Sequence, residues 1–305
     1  VRARPLARWA EAIDAGGATK PAGRPAPRPP VGDRPRKIAV TKLDRLQADP
    51  FAFYADAMLR LRAWDAIDAD PSPAWRGSAV HRIFELWLKE DGLDPARLRP
   101  RAEALLAETG AHPVLRALWT PRLIEAIDWV AGEIAADIAK GRTPLAAERR
   151  GVTEVSGITL EGTVDRIDRL PDGTLAIVDY KTGKPPSTAA VAGGFSMQLG
   201  LLGLIAEAGG FGPDLAGVPR DFEYWSLGSK SGQLGYRASP VGKRANQIAP
   251  DDFTARAARV LEGAVRRWLT GDDPFTAKIS PEHAPYGDYD QLMRLDEWYG
   301  RGGKA

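Results

Sequence analysis

The chain has 305 residues, with 42 Lys plus Arg against 40 Asp plus Glu, a formal net charge of +2 and 44% hydrophobic residues. That content can bury one large core or two smaller ones, and no apolar run or leader pattern predicts a membrane span or a signal peptide. There is no cysteine, which excludes disulfides and thiolate-held metals, and so small a net charge is no argument of its own for nucleic-acid binding.

Residues 1–37 are rich in Pro, Gly, Ala and Arg, above all from Lys20 to Arg36, and are expected to form a linker, semi-extended where proline dominates. One folded domain is expected over 38–305. Helical periodicity runs through 41–65, 76–90, 98–108 and 121–140. In the second of these, Val80, Ile83, Phe84 and Trp87 share an apolar face, and His81 and Glu85 lie one turn apart on a neighbouring stripe. Strand patterns follow at about 145–155, 158–170 and 174–181, then an apolar helical run at 195–208, then strands at Asp221 to Leu227 and Leu234 to Arg237. Residues 251–270 make an amphipathic helix with Phe253, Val260, Leu261, Ala264, Val265 and Trp268 on its apolar side. Helices, a small sheet, then helices predict an α/β core: a small mixed central sheet flanked by helices, with an N-terminal helical flank. No internal repeat is visible.

The chemistry concentrates in residues 162–183. Pro171-Asp172-Gly173 supplies a turn between two strand-like runs. A three-residue turn centred on Asp172 places Asp165 directly opposite Asp179, with Cβ atoms roughly 4.5–5.5 Å apart. Asp179 and Lys181 share a face because strand side chains alternate. Two facing carboxylates repel, and a hard divalent ion such as Mg²⁺ would compensate them. The same residues also fit an ordinary charged hairpin, since a single bulge would move the carboxylates apart. His81 is likewise open on its residues alone. It is a helix histidine bonded to Glu85, or a metal ligand.

Taken together, Gly162-x-x-Asp165-Arg166, Asp179-Tyr180-Lys181-Thr182-Gly183 and Gln198 after a short loop resemble the RecB-type branch of the PD-(D/E)XK nucleases. The resemblance implies that Asp165 and Asp179 hold a metal and that Lys181 assists the reaction. It makes Gly77-Ser-Ala-Val-His81-Arg-Ile-Phe-Glu85 the helix that supplies an additional ligand, His81, with the carbonyl of Tyr180 as a further ligand. Glu148 takes the place of an acidic residue one strand before Asp165, with Glu161 as a rival. Gln198 takes the place of the family's glutamine, while Leu202 stands where a tyrosine is frequent.

The two ends resemble AddB-type nuclease domains. Asp49-Pro50-Phe51 and the segment from Pro285 to Arg294 match regions where many relatives carry four cysteines that hold an iron–sulfur cluster. The matching positions here are Asp49, Ala284, Gly287 and Met293, so no such cluster is expected. Packing by Phe51, Phe53, Tyr54, Tyr286, Tyr289 and Trp298 is expected to pin the ends instead. The implied activity is that of a Mg²⁺-dependent deoxyribonuclease, an exonuclease in which Mn²⁺ can substitute. It would cut a single strand of DNA from an unwound duplex end at double-strand breaks, in recombinational repair. The implied partner is an AddA-type helicase–nuclease subunit, the implied setting cytoplasmic and away from membranes. A motor must lie elsewhere, because no Gly-x4-Gly-Lys-[Ser/Thr] phosphate loop occurs in these residues. The alternative is a catalytically inactive nuclease-fold subunit that binds DNA or plays a structural part.

Overall fold

In the computed structural model, which describes residues 6–15, 21–64, 73–108, 113–244, 247–284 and 287–299, helices pack on both faces of one six-stranded sheet. The elements before the central hairpin are α1 (Leu6–Asp14), β1 (Lys37–Ala39), α2 (Leu43–Ala48), α3 (Pro50–Phe53), α4 (Pro73–Asp91), α5 (Pro95–Glu108) and α6 (Pro113–Ala139). Then come β2 (Thr143–Val155), β3 (Ile158–Arg169), β4 (Leu175–Lys181), α7 (Thr188–Ala192) and α8 (Gln198–Glu207). The chain continues through β5 (Pro219–Lys230), β6 (Gln233–Ala238), α9 (Phe253–Ala264) and α10 (Leu295–Trp298). Among the described residues, no helix is long and apolar enough to cross a membrane.

The hairpin has the register read from its turn. Arg166, Ile167, Asp168 and Arg169 pair with Val178, Ile177, Ala176 and Leu175. Leu170 N donates to Thr174 O at 2.8 Å across the turn. β4 also pairs in parallel with β5, and its residues from Leu175 to Tyr180 are buried on both faces. Its alternation divides the core. Leu175 and Ile177 pack in the layer of α8 and α9, whereas Val178 and Tyr180 pack in the layer of α4, α5 and α6. Asp179 therefore ends the α8 row, while Tyr180 ends the α4 row.

One edge of β3 is shared by two strands. β1 pairs with residues 159–161 in parallel, and β4 pairs with 166–169. Residues 162–165 lie between them with neither strand alongside, and the cleft described below opens at that gap. Gly162 stands there because nothing larger fits. A Cβ would come within 2.8 Å of Leu202 Cδ2 and 2.9 Å of Val40 Cγ1.

Three expectations need correcting. The helix expected over 41–65 breaks at Asp49, because Pro50 lacks an N–H and disfavours helical backbone before it. Asp49 Oδ1 instead caps α3 by accepting from Ala52 N at 3.1 Å, and the helical turns end at Met58. The helix expected to open at Pro121 begins at Pro113 and carries Pro121 inside it. Residues 21–36 are not a free tether but a strap. Prolines keep their carbonyl acceptors, and Pro25 O and Pro27 O accept from Ala277 N at 3.0 Å and Phe275 N at 2.8 Å. Arg34, 2% exposed, fastens the strap by donating to Pro29 O, Trp268 O and Asp273 O.

The ends meet through more than aromatic packing. Phe51, Tyr289 and Met293 share a small buried cluster with Tyr54 and Trp298 against it, but Phe53 belongs to the main core. Tyr286 lies outside the described residues. At the centre sits Lys278, 5% exposed, its Nζ 2.9 Å from Asp290 Oδ1, 3.7 Å from Asp49 Oδ2 and 3.1 Å from Ala284 O. Its backbone N donates to Asp49 Oδ1 at 3.1 Å. Gly287 N donates to Asp290 Oδ2 at 2.9 Å. Asp49 and Ala284 are thus tied to the buried Lys278, Gly287 joins the same network at its exposed edge, and the fourth matched position, Met293, is buried in the adjoining apolar cluster. Removing one partner of a buried pair leaves the others uncompensated. Lys278→Ala is expected to cost about 3 kcal/mol in urea unfolding, and an unchanged midpoint would show that the apolar cluster alone joins the ends.

Candidate active site

The gap in the β3 edge opens into a cleft of about 620 Å³ whose walls include His81, Glu148, Asp165, Asp179, Lys181 and Gln198. Each residue reaches it by a different route. Regular pairing of the hairpin stops at Arg166 and Val178. One step further, Asp165 Oδ2 accepts a hydrogen bond from Tyr180 N at 2.7 Å, so the carboxylate sits in the fork between the strands. Asp179 Oδ1 accepts from Gln198 Nε2 at 2.8 Å, and its Oδ2 is 2.8 Å from Lys181 Nζ. Lys181 also donates to Gln198 Oε1 at 3.3 Å. Gln198, at the first turn of α8, thus bridges the carboxylate and the ammonium of β4.

Glu148 enters from β2. Ala147 pairs with Arg166 and Arg149 with Val164, which leaves Glu148 at the position facing Asp165. Its φ of +49° is left-handed, a conformation non-glycine residues avoid. That backbone turns the side chain to His81, whose Nδ1 is 2.8 Å from Glu148 Oε1 and 3.6 Å from Asp165 Oδ1. His81 does not pair with Glu85, which instead binds Arg82 and Lys89 at 2.7 and 2.5 Å. Glu161 also lines the cleft, but its carboxylate is taken by Lys37 at 2.6 Å and Arg150 at 2.5 Å.

The electrostatics are those of a site short of positive charge. Asp165 is 5% exposed and Asp179 2% exposed. Burial, with Asp179 close by, holds the Asp165 carboxyl well above its ordinary range, and burial also raises Asp179 despite the Lys181 ammonium beside it. His81 is pushed up to about 9, chiefly by its hydrogen bond to Glu148. Ligand atoms of His81, Glu148 and Asp165 lie within 4.8 Å of one another. One imidazole with several carboxylates is an oxygen-rich donor set suited to a hard divalent cation. Asp179, on the facing strand, lines the same cleft but stands outside that group. The group of three fits such an ion.

Behind the cleft, a second group fixes Tyr180, whose N–H holds Asp165. The Tyr180 ring stacks on Phe84 with centroids 3.9 Å apart, and its hydroxyl accepts from Arg166 Nη1 at 2.5 Å. Arg166 in turn donates to Asp168 at 2.9 Å, and Arg142 braces Asp168 at 2.7 Å. The sequence reading missed Phe84, Arg142 and Asp168 in this role. The signal was present in part, as an arginine beside the aspartate and a second acid two residues on.

Residues 37–281 match the family model described as the PD-(D/E)XK nuclease superfamily. The mixed sheet flanked by helices is consistent with the α/β fold of that family. Among curated proteins, the chain is 26% identical over 161 residues to an ATP-dependent helicase/deoxyribonuclease subunit of Streptococcus agalactiae serotype Ia, covering 49% of this chain and 14% of that protein. The corresponding protein of Streptococcus mutans serotype c, which carries the same name, is 28% identical over 158 residues, covering 50% and 14%. An uncharacterised protein of Rickettsia bellii is 25% identical over 187 residues, covering 58% and 22%. The chain thus spans a small part of each of these relatives.

A carboxyl whose folded pKa is raised destabilises the fold once it ionises, so its cost grows as pH rises above the ordinary value of 3.8. Without metal, Asp165→Asn is expected to melt at the same temperature as the parent or higher at neutral pH, with a margin that shrinks on acidification. Asparagine keeps an oxygen for Tyr180 N. A markedly lower melting temperature for the variant in chelator would show that the ionised pair is not strained.

Proposed function

Since the chain belongs to the PD-(D/E)XK nuclease superfamily, we propose that it is a divalent-metal-dependent deoxyribonuclease that hydrolyses phosphodiester bonds. The observation that carries this reading is the convergence of His81, Glu148, Asp165, Asp179 and Lys181, drawn from α4, β2, β3 and β4, on one cleft. The alternative of an inactive subunit gives no reason for so costly a set of buried charges to stay together.

His81, Glu148, Asp165 and Asp179 are the residues that would hold Mg²⁺, or Mn²⁺ in its place, with the Tyr180 carbonyl added by resemblance. Such an ion supplies positive charge to the scissile phosphate and lowers the pKa of a water. Lys181 presents its ammonium at the same opening, where it can orient the attacking water or offset charge growing on the phosphate. Gln198 restrains both Asp179 and Lys181, so the acid and the cation keep one relative position. The hydrogen bond from Tyr180 N keeps Asp165 turned into the cleft. The leaving 3′ oxygen takes its proton from solvent admitted by the open cleft.

The relatives from streptococci carry the name of a helicase/deoxyribonuclease component. We propose that the domain works with an AddA-type motor partner that feeds it a single strand at broken DNA ends, in recombinational repair and in a cytoplasmic setting, a reading those names support. Lys181→Ala is expected to lower metal-dependent degradation of end-labelled single-stranded DNA by about 100-fold, and Asp179→Ala to reduce it to the level seen in chelator. Folding of each variant is checked by circular dichroism. Parental rates in a folded Asp179→Ala protein would remove the assignment.

A further inference from the structure

A second, smaller cavity of about 220 Å³ lies beside the cleft, beyond the end of β4. The two are lined by consecutive residues. His81 and Lys181 line the cleft, while Val80 and Thr182 line the cavity. Side chains alternate along a strand, so the openings lie on either side of the end of β4, and a nucleic-acid strand would round that end to reach both. β4 ends here at Lys181, while β5 runs on past it to Lys230 in its hairpin with β6 and forms one side of the cavity.

The lining has a specific chemistry. Trp119 and Leu123 of α6 and Leu227 of β5 give it an aromatic and aliphatic wall. Arg122, exposed at the rim, makes no ion pair among the described residues. An apolar slot with one cation at its mouth matches a nucleotide, whose base has apolar faces and whose phosphate is anionic. Stacking on an aromatic side chain tolerates any base, because every base has such a face. A paired base inside a duplex could not enter.

Resting on the nuclease reading above, we propose that this cavity receives an unstacked base of the strand being cut, within one or two nucleotides of the scissile phosphate. Trp119 is the stacking surface, and Arg122 meets the adjoining phosphate. The occupied slot would register a single strand across the cleft without reading its sequence.

The test uses the full chain carrying Asp179→Asn, so that DNA is bound and not consumed. Single-stranded oligonucleotides with 2-aminopurine at successive positions report stacking through their fluorescence. One position is expected to respond, Trp119→Phe to keep the response and Trp119→Ala to lose it. An abasic residue at that position should weaken binding about tenfold. A response that is equal at all positions, or unchanged in Trp119→Ala, overturns the proposal. If Trp119→Ala fails to fold, the abasic series on the parent decides: no loss of affinity at any position overturns it too. The parent reading fails separately. Position-specific stacking in a protein that never cuts DNA with Mg²⁺ would sink the nuclease and leave the base slot. Cutting that ignores abasic residues would do the reverse.

Discussion

Two carboxylates held out of water at the open end of a hairpin govern the rest of the site. Asp165 and Asp179 are nearly fully buried and face each other's field. Burying one ionised carboxylate costs several kcal/mol even after relaxation, and two together cost more. The protein offsets part of this with Tyr180 N, the Gln198 amide, the Lys181 ammonium and His81. Glu148 then adds a third carboxylate to the same opening. A fold selected for stability alone would not add it. A divalent cation explains the whole set at once, because it lets every carboxylate ionise.

Rigidity comes from β4 having two faces in use. Its α8 row carries the charged groups, and its α4 row ends in Tyr180, clamped between Phe84 and the Arg166 guanidinium. Phe84 lies one helical turn from His81, so the stack that fixes Tyr180 also fixes the helix that presents the imidazole. Trp225 adds a further contact, with the Arg166 guanidinium over its ring at 4.1 Å. Distances across the cleft are therefore set by aromatic packing beneath it, which is stiffer than the long side chains above.

Much of this was legible beforehand. The turn at Pro171 to Gly173 determined the hairpin register from Arg169 to Arg166, although regular pairing ends one step before Asp165 and Asp179. The apolar stripe of α4 was visible, hence the side on which His81 emerges. Other features depend on contacts that one sequence does not disclose. Glu148 and Glu161 were equivalent as letters, and a left-handed backbone at Glu148, with Lys37 and Arg150 holding Glu161, separates them. The strap over residues 21–36 looked like a linker because proline content does not reveal which carbonyls find donors. Lys278 carried no signal, since a buried lysine is defined by its partners from distant segments.

In the reading proposed above, a divalent cation binds this cleft through both hairpin strands and α4. The most direct measurement is anomalous scattering from crystals of the protein soaked in Mn²⁺. The expected result is a peak bonded to oxygens of Asp165 and Asp179, with Glu148 or His81 completing its shell and the His81–Glu148 hydrogen bond opened. A soaked crystal that keeps that hydrogen bond closed, with manganese only at surface carboxylates elsewhere, would contradict it.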